Sequence, residues 1–176
     1  MKGDRALADR AAAIELLVLD VDGVLTDGRV ATLPDGTELK WFHVRDGAGI
    51  VAWHSLGRRT AILSGRTSPV VDRRAAELRV HWVRQGVMDK RAELESILRA
   101  AGTSADRAAA IGDDLADLPV LQAVGVSAAV ADACAEVRAA ADFVCRTPGG
   151  RGAVREFIEW LLRAQEAWDV VLNRGR

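Results

Sequence analysis

Six apolar runs of three to six residues recur along this chain: Ile14–Leu19, Thr60–Leu63, His81–Val83, Ala108–Ile111, Val124–Ser127 and Asp142–Val144. They are too short for helices, and most give way to Gly, Asp or Ser, so they read as strands. Between them, Gly49–Leu56, Pro69–Leu78, Lys90–Ala100, Leu115–Ala123 and Cys134–Ala140 carry apolar residues at a spacing near 3.6 and read as helices. Strand and helix in alternation imply right-handed crossovers and a parallel sheet with helices on both faces. The runs are apolar throughout rather than alternating, as strands covered on both sides should be. The expected fold class is therefore α/β, a doubly wound, Rossmann-like parallel sheet. The chain is 176 residues long, the size of one domain, so a single domain over 1–176 is expected.

One segment breaks the rhythm. Arg29–Val44 (RVATLPDGTELKWFHV) has two β-like arms around Pro34, Asp35 and Gly36, a turn signal that predicts a β-hairpin insertion after the first strand. Such an insertion sits at the carboxyl end of the sheet, where open α/β sheets bind ligands, and it is too short to be a large cap domain. The final stretch, Gly152–Leu172, predicts one long amphipathic helix with Trp160 and Trp168 on one face. Trp53, Trp82 and Trp160 are expected in the core, and His54 and His81 in structural roles.

Charge and cysteine content narrow the function. Lys and Arg number 24 against 25 Asp and Glu, a net charge of −1, which gives no general attraction to nucleic acid or an anionic membrane. No apolar run approaches the roughly 18 residues of a membrane span, and the opening MKGDRALADRAAAIELL lacks a signal-peptide core. Cys134 and Cys145, in apolar surroundings, read as thiols of a reducing compartment. A cytoplasmic chain is expected.

The strongest chemical signal is Asp20-Val21-Asp22-Gly23 directly after LLVL. Side chains at i and i+2 share one side of a strand, so two carboxylates meet at its carboxyl end. Such a pair suits a nucleophile beside a general acid, with Mg²⁺ offsetting the charge. Alone, the string is better read as a polar turn that caps a strand. Ile62-Leu63-Ser64-Gly65-Arg66 repeats the pattern of strand and small polar loop, where the Ser64 hydroxyl and nearby N–H groups can hold phosphate. Lys90 opens a helix, a position the helix dipole disfavours, which points to an anionic partner. Gly112-Asp113-Asp114-Leu115-Ala116-Asp117 then offers hard oxygen ligands, or an acidic helix cap. Each element has an ordinary explanation; four strand ends supplying them in this order are much harder to dismiss.

These four elements resemble, in order, the motifs of the haloacid dehalogenase superfamily. The strings LDVDGVLTDG, FHVRDGAGI, SGRTSPVVDRRAAEL, IGDDLADLPVL and TPGGRGAVRE are similar to its small-cap subgroup of 3-deoxy-D-manno-octulosonate 8-phosphate phosphatases. The resemblance implies Asp20 as nucleophile and Asp22 as general acid and base. It also implies Ser64 and Lys90 as phosphate-holding catalytic residues. Mg²⁺ would be held by Asp20, Asp113 and the backbone carbonyl of Asp22, with Asp114 and Asp117 orienting water or Lys90. Substrate contact is implied for Asp22, His43, Val44, Arg45, Asp46, Gly47, Gly65, Arg66, Arg74 and Lys90. Two positions depart from the pattern: His43 stands where Asn is frequent, and Val51 where Arg is usual.

The implied activity is Mg²⁺-dependent hydrolysis of a sugar-acid phosphate, the octulosonate 8-phosphate of lipopolysaccharide synthesis first and a nonulosonate 9-phosphate second. A homotetramer is implied as well. A signalling receiver domain, or a noncatalytic module on this fold, remains an alternative. Receivers carry their phosphorylated Asp after a middle strand, whereas Asp-x-Asp here follows the first.

Overall fold

The structure, a computed structural model, describes residues 2–173. After a first helix, α1 (Lys2–Ala12), the chain enters β1 (Leu16–Leu19), whose four residues are buried on both faces. A hairpin follows, β2 (Ala31–Thr32) paired antiparallel with β3 (Glu38–Leu39) around the Pro34–Gly36 turn. Then come α2 (Val44–Ser55), β4 (Arg59–Leu63), α3 (Pro69–Leu78), β5 (Trp82–Arg84), α4 (Lys90–Ala101), β6 (Ala108–Gly112) and α5 (Leu118–Leu121). The chain closes with β7 (Val126–Ala129), α6 (Ala135–Ala140), β8 (Phe143–Val144), α7 (Ala153–Ala164) and α8 (Trp168–Asn173).

Six strands form one parallel sheet in the order β5-β4-β1-β6-β7-β8. The chain builds outward from β1 through β4 to β5, returns to the other side of β1 as β6, and builds outward again to β8. The reversal between β1 and β6 leaves a crevice at their carboxyl ends, since the crossovers on either side lead away from it. Small side chains make the centre dense. β6 is Ala-Ala-Ala-Ile-Gly, buried at every position, so helices on both faces approach the sheet closely.

The helices follow from spacing and caps. In α7, Ala153, Val154, Phe157, Ile158, Leu161 and Leu162 are buried, an i, i+3, i+4, i+7 stripe that packs against α2. Phe143 of β8 stacks on Trp160, ring centroids 4.8 Å apart. Trp53 is wholly buried, while Trp82 and Trp160 pack half-buried on the core. His54 donates to or accepts from the Thr60 hydroxyl at 2.7 Å and meets His81 edge-on, as structural groups would. The two cysteines are unpaired.

Three expectations need correction. The single helix over 152–172 is two helices, because Glu166 takes a left-handed backbone (φ 53°) that stops α7 before Trp168. Trp160 and Trp168 therefore share no helix face. α2 begins at Val44 rather than Gly49, capped by His43, whose Nδ1 accepts the Arg45 N–H at 3.3 Å. Finally, 115–123 is a turn of 3₁₀ helix followed by the short α5, and α1 was not expected at all.

Candidate active site

Asp20 lies one residue beyond β1 and Asp113 one beyond β6, facing each other across the crevice where the strand order reverses. Gly23 is required here: its φ is +91°, and a Cβ would stand 2.0 Å from Asp113 Oδ2. Lys90, the first residue of α4, reaches in from the next crossover. Its Nζ donates to Asp20 Oδ1 and Asp117 Oδ1, both at 2.7 Å, and all three side chains are under a tenth exposed. That explains a lysine at a helix N-terminus: two carboxylates outweigh the dipole. Burial alone would favour the neutral amine, but Asp20 and Asp117 hold the ammonium charged.

Carboxylate oxygens of Asp20, Asp113 and Asp117 lie within 4.8 Å of one another. Burial, then the Asp117 charge, pushes Asp20 up to about 6 despite Lys90. Burial and the Asp20 and Asp117 charges push Asp113 to about 8. Without further positive charge, such a cluster keeps a proton at neutral pH. Its all-oxygen donor set and excess negative charge fit a small hard cation such as Mg²⁺. Both oxygens of Asp117 already accept hydrogen bonds: Oδ1 from Lys90, and Oδ2 from the N–H groups of Asp113 (2.9 Å) and Asp114 (3.3 Å). It ties Lys90 to the loop that carries Asp113. Asp114 accepts the Leu115 N–H and caps that turn, without touching Lys90.

On the opposite wall, the Arg66 N–H donates to the buried Ser64 Oγ at 3.3 Å. The Asp22 carboxylate is met by two cations, its Oδ1 accepting from Lys40 Nζ and its Oδ2 3.6 Å from Arg66 Nε. A cleft of about 370 Å³ collects Asp20, Asp22, Ser64, Gly65, Arg66, Lys90, Asp113, Asp114 and Asp117. Nine of the residues expected from sequence thus share one cavity.

The remaining candidates stand elsewhere in this chain. Asp46 is 1% exposed, and its carboxylate accepts the N–H groups of Gly152 (3.2 Å) and Arg155 (2.8 Å). It caps α7 from the neighbouring helix. Gly47 gives room to the Arg74 side chain, which pairs with Glu77 at 2.8 Å and lies over Phe42. Arg74 therefore stands outside the cleft that Arg66 lines. Val44 is 81% exposed. Arg45 lines a different cavity, of about 550 Å³, with Arg146, Arg151 and Arg155.

Sequence reasoning missed Lys40. It lies just after β3 in a hairpin with exposed apolar side chains, and reads as a solvated residue; its side chain is 1% exposed.

A haloacid dehalogenase-like hydrolase family profile matches residues 80–158. The chain is 43% identical over 152 residues to the 3-deoxy-D-manno-octulosonate 8-phosphate phosphatase of Haemophilus influenzae, covering 86% of this chain and 84% of that protein. It is 43% identical over 160 residues to the enzyme of the same name from Escherichia coli K12, covering 91% and 85%. The crystal structure of 3-deoxy-D-manno-octulosonate 8-phosphate phosphatase from Moraxella catarrhalis, in complex with magnesium ion, phosphate ion and KDO, superposes with a TM-score of 0.94 at 38% identity. That match covers 97% of this chain and 98% of the other.

Proposed function

Since the chain belongs to the haloacid dehalogenase-like hydrolases, among their 3-deoxy-D-manno-octulosonate 8-phosphate phosphatases, we propose that it is a Mg²⁺-dependent phosphatase that hydrolyses that sugar-acid phosphate. The observation that carries the reading is the Asp20–Lys90–Asp113 group at the strand-order reversal. The substrate places the reaction in lipopolysaccharide assembly, in a cytoplasm whose reducing conditions suit two unpaired cysteines.

Asp20 is the nucleophile. Its carboxylate oxygen attacks phosphorus while Lys90 Nζ, the Ser64 hydroxyl and the loop N–H groups hold the nonbridging oxygens. An alkoxide is a poor leaving group, so Asp22 delivers a proton to the bridging oxygen as the ester P–O bond breaks and the Asp20–phosphorus bond forms. Asp22, now ionised, takes a proton from the water that cleaves the aspartyl-phosphate. Asp20, Asp113 and the Asp22 carbonyl would hold Mg²⁺, which when bound supplies positive charge against the phosphoryl oxygens.

Arg66 is the cation of the cleft best placed for the substrate carboxylate, half-exposed beside Asp22 and paired with Glu38 at 3.1 Å. A guanidinium–carboxylate contact contributes roughly 1.5–3 kcal/mol. Arg66→Ala should therefore lower kcat/KM for the sugar-acid phosphate about ten- to a hundredfold and leave p-nitrophenyl phosphate, which has no carboxylate, nearly unchanged. Equal losses on both esters would reassign Arg66 to the phosphate.

A homotetramer completes the reading. The hairpin leaves the cleft open, and Leu33, Leu39, Trp41, Val44 and Val51 expose an apolar surface along the hairpin and α2 that supports self-association. Light scattering should give a tetramer, and a fully active monomer would overturn this.

A further inference from the structure

A lysine with a side chain 1% exposed is costly unless its charge is met. Lys40 meets two carboxylates: it donates to Asp22 Oδ1, and its Nζ lies 3.4 Å from Glu38 Oε1. Glu38 in turn pairs with Arg66, and Arg66 Nε lies 3.6 Å from the second oxygen of Asp22. Both Asp22 oxygens are thus addressed by cations, one carried by the hairpin and one by the loop after β4. The hairpin is too small to bury a substrate, and its two strands are two residues each. What it does bring into the site is an ammonium on the proton-transfer residue.

We propose that Lys40 is a positioning residue for Asp22, and that the hairpin's role within its own subunit is to aim this carboxyl group. The inference deepens the reading of Asp22 as proton donor and rests on it. An unsupported aspartate has two rotatable bonds and can turn toward solvent or toward the cation that Asp20 and Asp113 would hold. Anchored through Oδ1 by Lys40, it keeps Oδ2, which at 3.6 Å lies beyond hydrogen-bond distance of Arg66 Nε, available for the bridging oxygen, at a height fixed by the hairpin. When the proton passes to the departing oxygen and the ester bond breaks, the carboxylate left behind already has its counter-charge. No reorganisation is then needed before it accepts the proton of the attacking water.

Proton delivery matters most when the leaving alcohol is weakly acidic, so the test is a leaving-group series. kcat/KM, which reports the step that forms the aspartyl-phosphate, is measured for ring-substituted phenyl phosphates from p-nitrophenyl to unsubstituted phenyl, and for the sugar-acid phosphate. None of the phenyl esters carries a carboxylate, so Arg66 does not bias the series. In wild type the dependence on leaving-group acidity should be shallow. Lys40→Met should steepen it, losing about ten- to a hundredfold on the sugar-acid phosphate and phenyl phosphate but under about threefold on p-nitrophenyl phosphate. Lys40→Arg, which restores a cation, should recover most of the shallow slope.

If Lys40→Met does not fold, Lys40→Gln keeps an N–H donor without the charge and is read by the same slope. A uniform loss across the series in Lys40→Met, beside a steep slope in Asp22→Asn, would overturn the role of Lys40 alone. A uniform loss in Asp22→Asn as well would overturn the proton-donor reading and this proposal with it.

Discussion

Asp20→Asn should abolish release of phosphate from every substrate, with a fall in kcat of roughly 10⁴-fold or more, because an amide neither attacks phosphorus nor carries the charge the cation needs. The effect should exceed that of any other single change in the cleft. Asp20 sits where strand geometry, burial and charge all converge, 2.7 Å from Lys90 and within reach of Asp113. The fold should survive, since Lys90 keeps its second partner, Asp117, and the amide is isosteric with the carboxylate it replaces. Acid-quenched mass spectrometry should find phosphate on the wild-type chain during turnover and none on the variant. Wild-type turnover in Asp20→Asn would overturn the nucleophile assignment.

Lys90→Met should damage both catalysis and stability. Loss of the ammonium removes a donor from the phosphoryl oxygens, worth about 10²–10³ in kcat. It also leaves Asp20 and Asp117 buried side by side without a counter-charge, and breaking a buried pair in this way costs about 3–5 kcal/mol. The pH dependence has a definite sign. Asp20 already binds its proton up to about 6 in the folded chain, and Lys90 is one of the influences that lower it. Without Lys90 it holds the proton still higher, whereas the unfolded chain releases it near 4. A carboxylate raised in this way makes the fold relatively stronger in acid and weaker as pH rises. Thermal unfolding in EDTA should therefore show the gap between variant and wild type widening from pH 5 to pH 8. Mg²⁺ should narrow it by replacing the missing charge. A gap independent of pH would mean that Lys90 acts by packing alone.

Much of this was legible in the sequence because burial and chemistry leave different signatures. β1, β4 and β6 are apolar runs that stop abruptly at Asp20, Ser64 and Gly112, so strand ends and chemistry announced each other. Boundaries set by single backbone angles were not legible. Ala164 to Trp168 holds no Gly or Pro, and apolar spacing continues across it, yet the left-handed Glu166 divides the helix there. The start of α2 was hidden because its cap is His43, and histidine is an unusual cap. Within the VRDG string, Asp46 looked like a ligand group; only the packing of α2 on α7 reveals that its partners are the N–H groups of Gly152 and Arg155. Lys40 was hidden for a related reason. Pattern reasoning expects hairpin lysines in water, and nothing local shows that this one folds inward onto Asp22.

The glycines before α7 bear on how the molecule is made. Gly149 packs so tightly on the loop after β1 that a Cβ there would lie 1.6 Å from the Gly23 carbonyl oxygen, and the Gly150 N–H donates to Val24 O at 2.8 Å. The floor of the nucleophile loop is thus supplied by residues more than a hundred positions downstream. On a ribosome, where synthesis runs from the N-terminus, Asp20 emerges early but its loop must wait for almost the whole chain before it sets. A chain truncated before Gly149 would carry every acidic residue of the cleft without the floor on which that loop sets, and should release no phosphate when assayed.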